Sequence, residues 1–187
     1  MPRLMIVVGS VREGRIAQPI AEWVRSAAEA DGRFEVDFAD LKEIALPLMD
    51  EPNHPRLRKY TKPYTIAWSE RVDAADAFLF LFPEYNYSYS PAMKNALDYL
   101  AAEWDRKPVG LVNWGGVSGG TRSAAAMRPV ISALGMVATR GSVEINFPQN
   151  QVDESGRFTP TEHQSTVLHS QLDELLRLDE ALRPLRR

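Results

Sequence analysis

Residues 4–15 read LMIVVGSVREGR, an apolar run that passes directly into a polar loop with a hydroxyl and two arginines. The continuous apolar run predicts a strand that is buried on both faces. From residue 16 to residue 30 the apolar side chains recur at helical spacing, which predicts a helix directly after the loop. At such a junction, free backbone amides and the helix dipole favour an anion.

Four more apolar segments predict strands, at residues 34–38, 77–82, 109–113 and 137–145, with helical periodicity between them. This alternation predicts a single α/β domain over residues 1–187, folded as a three-layer sandwich. Because crossovers between parallel strands are right-handed, we expect a flavodoxin-like parallel five-stranded sheet of order 2-1-3-4-5. In that order, the carboxyl ends of strands 1, 3 and 4 surround one crevice.

Local patterns mark where the later helices begin. Ser90 and Pro91 are a hydroxyl N-cap followed by proline at the first helical position. Pro129 lies inside the predicted helix 120–134, so we expect a kink or a later start there. Thr159 and Glu162 have the spacing of a capping box and predict the start of the last helix.

The composition argues against several classes of protein. Lysine and arginine number 22 against 25 acidic residues, and this mildly acidic balance disfavours a nucleic-acid partner. The chain has no cysteine, so any redox chemistry must come from a cofactor. Its three histidines have no metal-ligand spacing, and we expect no metal site. No apolar run approaches the roughly 20 residues that span a bilayer, so we expect a cytoplasmic protein without a membrane partner.

Residues 9–15, here called the phosphate loop, carry the groups that a phosphate monoester needs. Ser10 offers a hydroxyl and an amide at the carboxyl edge of the sheet, and Arg12 and Arg15 add charged donors. The loop lacks the glycine patterns of dinucleotide and triphosphate sites, so a monophosphate fits better. The alternative is an ordinary strand-to-helix turn with exposed arginines.

Two further loops follow predicted strands at the same crevice. Residues 83–90, the ring loop, begin the segment PEYNYSYSPAMKNALD. A rigid polar loop there can place main-chain groups along the edge of a planar heterocycle. Residues 115–120, the glycine loop, contain four glycines, which let the backbone approach a ligand closely. The alternative for the glycine loop is a flexible connector.

The chain resembles the NADPH-dependent FMN reductase family, the flavodoxin-like quinone, chromate and azo-dye reductases, over about residues 3–145. The resemblance rests on Gly9-Ser10-x-Arg12, on Pro-Glu-Tyr-Asn at 83–86, on the helix at 94–98 and on the glycine loop. It implies that the first loop holds the FMN phosphate and that the other two contact the isoalloxazine ring. The predicted cofactor-binding residues are Ser10, Arg12, Arg15, Ile16, Ala17, Pro83, Glu84, Tyr85, Asn86, Gly115 and Gly116.

The resemblance implies an oxidoreductase that takes hydride from NADPH or NADH and reduces a quinone, an azo compound, free flavin or a metal oxyanion. No catalytic side chain is predicted, because the flavin carries the chemistry. It also implies a homodimer or homotetramer, with residues 146–158 a candidate for contact between subunits. Tyr87 departs from the family, since many members have glycine there, and Arg15 and Gln18 replace a small residue and an asparagine.

Two other functions stay open on the residues alone, namely an electron carrier that serves a protein partner and a flavin-binding sensor. Carriers tend to be strongly acidic, which this chain is not. Arg56, Arg58 and Lys59 either bind the adenosine phosphate of NADPH or form a solvated surface. Tyr87 and Tyr89 either wall the flavin ring or pack at a subunit interface.

Overall fold

The computed structural model describes residues 1–186, and Arg187, the last residue of the predicted domain, lies outside that range. The strands are β1 (Arg3–Val8), β2 (Glu35–Asp40), β3 (Ala77–Pro83), β4 (Pro108–Gly115) and β5 (Val137–Asn146). They form one sheet of order β2-β1-β3-β4-β5 in which every neighbouring pair is parallel. The predicted flavodoxin-like strand order is confirmed.

Helices cover both faces of this sheet. They are α1 (Ala17–Asp31), α2 (Leu41–Ile44), α3 (Pro63–Asp73), α4 (Pro91–Asp98), α5 (Thr121–Ala133) and α6 (Glu162–Leu182). Alternate residues of β1 enter opposite cores: Met5 and Val7 pack with α3, α4 and α5, whereas Leu4, Ile6 and Val8 pack with α1 and α6. Because strand side chains alternate between faces, a continuous apolar run fills both cores at once.

The helix starts differ from the sequence predictions in two places. The last helix is capped by Thr161, which forms a capping box with Gln164, and not by Thr159 with Glu162. The prediction selected the wrong threonine, because Thr161 and Gln164 have the same spacing and their side chains make both hydrogen bonds of the capping box. Helix α5 begins at Thr121 and continues through Pro129, so the expected later start does not occur.

Parallel pairing places the carboxyl ends of all five strands at one edge of the sheet. The phosphate loop, the ring loop and the glycine loop therefore lie together at this edge, here called the carboxyl edge. The opposite edge, where the strands begin, is called the amino edge. Within residues 1–186, none of the helices combines the length and the apolar character needed to cross a membrane.

Candidate functional site

The carboxyl edge contains a cleft of about 320 Å³. Its lining residues come from four segments of the chain and are Ser10, Arg12, Arg15, Ile16, Pro83, Glu84, Tyr85, Trp114, Gly115, Gly116, Phe147, Pro148 and Gln149. Nine of the eleven predicted cofactor-binding residues are in this set. The other two each follow a lining residue in the sequence. Ala17, next to Ile16, is buried as the first residue of α1, and Asn86, next to Tyr85, is exposed in the ring loop.

The phosphate loop is fixed against β3 and α4. The Gly9 amide donates to the Leu81 carbonyl over 2.7 Å, and the Ser90 hydroxyl donates to the Gly9 carbonyl. A Cβ at Gly9 would lie 3.1 Å from the Met93 Cβ and 3.2 Å from the Leu81 oxygen, so glycine permits this close approach. Ser10, only 3% exposed, lies next on the cleft wall, with Oγ 3.5 Å from the Tyr85 hydroxyl.

The two arginines of the phosphate loop have different surroundings. Arg15 forms a two-pronged ion pair with Asp40, the last residue of β2, and also donates to the Ser10 carbonyl over 2.5 Å. Both of its terminal nitrogens therefore have partners, and its contacts hold the loop in shape. Arg12 is exposed at the cleft and, among residues 1–186, forms no ion pair. Arg12 is thus the guanidinium available to an incoming anion.

The start of α1 leaves backbone amides without a side-chain partner. Its N-cap residue, Ile16, makes no side-chain hydrogen bond to the first-turn amides; α3 and α5 also lack a side-chain cap, but α1 alone among these three follows the phosphate loop. Amides of an uncapped first turn favour an anion, because they lack partners inside the helix. A phosphate beside Ser10 and Arg12 would supply those partners.

The ring loop contains a tight turn at residues 85–88. The backbone groups of Tyr85 and Ser88 exchange hydrogen bonds of 2.8 and 3.0 Å, and the central residues Asn86 and Tyr87 have φ of 49° and 72°. Two central residues with positive φ define a type I′ turn, which favours asparagine followed by glycine. Asn86 suits this turn, but Tyr87 does not. Tyr87, at which the chain departs from the family that it resembles, therefore occupies the strained position of the turn.

The glycine loop has a fixed conformation in the structure. Asn113 and Asn146 donate their side-chain amides to the carbonyls of Gly119 and Val117, over 3.1 and 2.7 Å. Gly120 has φ of 90°, and a Cβ there would lie 2.6 Å from the Trp114 nitrogen, which only glycine avoids. These contacts describe a compact turn that holds Gly115 and Gly116 at the cleft.

Glu84 is the carboxylate that lines the cleft from the ring loop. Its side chain is 6% exposed and accepts hydrogen bonds from Ser118 Oγ at 2.7 Å and Arg122 Nε at 2.6 Å. Burial alone would raise the pKa of Glu84, but the hydrogen bonds from Arg122 and Ser118 outweigh burial and lower the pKa below its ordinary value. Glu84 is therefore ionised at neutral pH.

Several residues at the cleft were not predicted from the sequence. Phe147 lines the cleft after β5, donates its amide to the Gly115 carbonyl over 2.8 Å, and has φ of 45°. The position of this loop directly after a parallel strand was the only pattern that could have indicated it. Asp40, Ser118 and Arg122 contact predicted residues through tertiary pairings, for which the sequence has no periodic pattern.

The basic stretch 56–59 lies away from the cleft. Arg58 pairs with Asp73, at the end of α3, and approaches Glu103, which precedes β4, at 3.3 and 3.4 Å. Both partners are at the amino edge. Within the described chain, no group of three or more histidine or acidic side chains is arranged to hold a metal ion.

Comparisons with known proteins agree with this geometry. The model of the family described as NADPH-dependent FMN reductase matches residues 2–149. An NAD(P)H-dependent FMN reductase of Schizosaccharomyces pombe is 33% identical over 153 residues, which are 81% of this chain and 76% of that protein. A 2-hydroxy-1,4-benzoquinone reductase of a Burkholderia species is 31% identical over 169 residues, 83% of this chain and 85% of that protein.

A solved structure shares the fold over nearly the whole chain. The flavoenzyme NAD(P)H:(acceptor) oxidoreductase FerB of Paracoccus denitrificans superposes with a TM-score of 0.76. The match covers 97% of this chain and 99% of that one, at 22% sequence identity. At this identity the likeness shows the fold.

Proposed function

Because this chain belongs to the NADPH-dependent FMN reductase family, we propose that it is an FMN-dependent oxidoreductase that uses NADPH or NADH to reduce a small quinone or azo compound. The observation that carries the proposal is the convergence of three loops on one cleft, with an uncapped helix start, a hydroxyl and an exposed arginine at one end. The quinone reductase among the relatives supports the acceptor class.

The residues of the cleft would divide the cofactor between them. Ser10, Arg12 and the first-turn amides of α1 would hold the phosphate through charge-assisted hydrogen bonds. The main chain of residues 83–86 and of Gly115 and Gly116 would hold the ring. When bound, FMN would accept hydride from the nicotinamide and pass electrons to the acceptor, which no side chain of this protein can do.

The protein's own contribution is to position and stabilise. Glycine-loop amides directed at the ring would favour the negative charge that it gains on reduction. Arg15 and Asp40 hold the phosphate loop from behind, so that Ser10 keeps its place at the cleft wall. None of these steps requires a general base.

The central test is FMN affinity, measured by quenching of flavin fluorescence in Arg12→Ala. A charge-assisted hydrogen bond contributes about 1.5–3 kcal/mol, so we expect Kd to rise about 10- to 100-fold. Arg25→Ala is the matched control, because Arg25 lies on α1, is not among the residues that line the cleft, and contacts Glu29 one turn along and the Phe38 ring at 5.4 Å. An unchanged Kd in Arg12→Ala contradicts the proposed phosphate site.

Turnover separates the enzyme from the carrier and the sensor. We expect the purified protein to oxidise NADPH with 1,4-benzoquinone as the acceptor and no other protein present. Initial-rate lines measured at several quinone concentrations should be parallel, because both substrates react in turn at the same cleft. Failure of NADPH to reduce the bound flavin would favour the sensor.

Assembly and location remain part of the proposal. A homodimer or homotetramer is supported by apolar side chains exposed around the cleft, Tyr87 at 68%, Val117 at 84% and Phe147 at 42%. Sedimentation of the active protein as a monomer at micromolar concentration would contradict it. We place the protein in the cytoplasm, which fractionation of the source cells would test.

A further inference from the structure

Glu84, Ser118, Arg122 and Tyr87 form one connected cluster, here called the Glu84 cluster. Arg122 binds the Glu84 carboxylate through two nitrogens and also donates to Ser118 Oγ over 3.2 Å. Its guanidinium carbon lies 4.0 Å from the centre of the Tyr87 ring. Because Glu84 and Tyr87 belong to the ring loop and Ser118 to the glycine loop, this cluster ties together the two loops that face the proposed ring site.

The cluster is also an asymmetric pair of charges. The Glu84 side chain is 6% exposed and lines the cleft, whereas the Arg122 side chain is 42% exposed and lies on the solvent side. Water screens an exposed charge more strongly than a covered one. Loss of Arg122 would therefore leave an uncompensated negative charge beside the ring, and loss of Glu84 would leave a weaker positive one.

We propose that Arg122 is a positioning residue that neutralises Glu84 beside the flavin, and that this pair thereby sets the reduction potential of bound FMN. The inference deepens the proposed function and rests on it. A negative charge near the ring opposes the arrival of electrons and a positive charge favours it. Removal of the two partners should therefore shift the potential in opposite directions.

The strained turn gives independent support for a device at this place. Tyr87 has φ of 72°, a conformation that costs a non-glycine residue about 1–2 kcal/mol. Stacking of Arg122 on its ring holds the residue there, and the same guanidinium holds Glu84. One arginine thus fixes both the charge and the conformation of the ring loop.

The test is a charge cycle on the FMN-loaded protein, with potentials measured by equilibration with reference dyes at about pH 8, well above the ordinary pKa of a glutamate. In Arg122→Gln we expect the equilibrium for flavin reduction to become about tenfold less favourable, a shift of about 30 mV for a two-electron couple. In Glu84→Gln it should become more favourable, by a smaller factor. In the double variant it should return to within about twofold of the wild type.

The direction of the shifts decides between the interpretations. A purely structural role would move both single variants the same way, and that result, or the absence of any shift, overturns the inference. Arg128→Gln is the matched control, because Arg128 is an exposed arginine on the same helix and should leave the potential unchanged. Failure of the proposed function looks different, since wild-type protein that binds no FMN would have no potential to measure.

Discussion

The two edges of the sheet differ in whether their polar groups have partners within the chain. At the amino edge Arg186 is paired inside the protein, with Asp76 and Asp179 at 3.3 and 2.7 Å. At the carboxyl edge Arg12 is exposed, and the first turn of α1 has no side-chain cap. Pairing within the chain stabilises the fold, whereas unpaired donors are available to a ligand. The comparison therefore separates residues that hold the chain from residues that bind.

Backbone strain does not distinguish the two edges. Arg58 and Arg106, at the amino edge, have φ of 49° and 56°, as Asn86 and Tyr87 have positive φ at the carboxyl edge. The difference lies in what offsets the strain. Arg58 gains ion pairs with Asp73 and Glu103, while the exposed Tyr87 ring gains one stacked guanidinium.

The largest effect is expected at the amino edge, from Glu103→Ala. Glu103 is fully buried and accepts hydrogen bonds from the Tyr60 and Ser69 hydroxyls at 2.8 and 2.7 Å. Its loss would remove the acceptor of the Ser69 hydroxyl and would leave Tyr60 with a weak 3.4 Å contact to the Pro55 carbonyl, so we expect the free energy of unfolding to fall by about 3 kcal/mol. Urea denaturation measures this change.

The same variant also tests whether the two edges are energetically coupled. We expect the FMN affinity of folded Glu103→Ala to stay within about twofold of the wild type, since additivity holds for distant sites. Glu70→Ala is the control, because Glu70 is an exposed carboxylate on α3 beside Ser69. A loss of affinity as large as that in Arg12→Ala would show that the amino edge also shapes the cleft.

Lys107 provides a pH-dependent test of the amino edge. It is 6% exposed, and its ammonium group donates to the carbonyls of Val72 and Asp73, both at 2.9 Å. Burial lowers the pKa of Lys107 to about 8. Between about pH 8 and pH 10 the unfolded chain therefore binds more protons at this site than the native protein, and stability contributed by Lys107 increases with pH.

Below about pH 8 both states hold the proton, so the contribution of Lys107 is constant there. We expect the free energy of unfolding of the wild type, minus that of Lys107→Met, to rise by about 2 kcal/mol between about pH 8 and pH 10. The variant serves as its own reference, because other groups that titrate in this range cancel in the difference. A difference that is flat across this range would mean that Lys107 keeps its ordinary pKa.

The sequence predicted where the loops of the carboxyl edge lie better than it predicted the side-chain pairs that hold those loops, for a physical reason. Continuous apolar runs at 77–82 and 109–113 have no period that suits a surface helix, so they indicated buried strands, and parallel strands bring their end loops together. Pairings such as Arg15 with Asp40 and Arg122 with Glu84 join residues 25 and 38 positions apart. No local pattern encodes such distances, so the partners that hold the site could not be predicted.

The smallest expected effect concerns Tyr87. It tests whether a residue at the carboxyl edge makes the protein less stable than a substitute would. Glycine adopts φ near 72° without strain, so Tyr87→Gly removes about 1–2 kcal/mol of conformational cost. The variant also loses the stacking of Arg122, which contributes about 0.5–1 kcal/mol. Glycine makes the unfolded chain more flexible, and this entropy offsets a further part of the gain.

We therefore expect Tyr87→Gly and Tyr87→Asn to be about 0.5 kcal/mol more stable than the wild type, since both residues accept this turn. Tyr87→Ala keeps the strain without the ring and should be the least stable of the four proteins. Thermal unfolding ranks them. If Tyr87→Gly and Tyr87→Asn were instead less stable than the wild type, the tyrosine would be there to hold the fold, and the contrast between the two edges would fail at its most exposed residue.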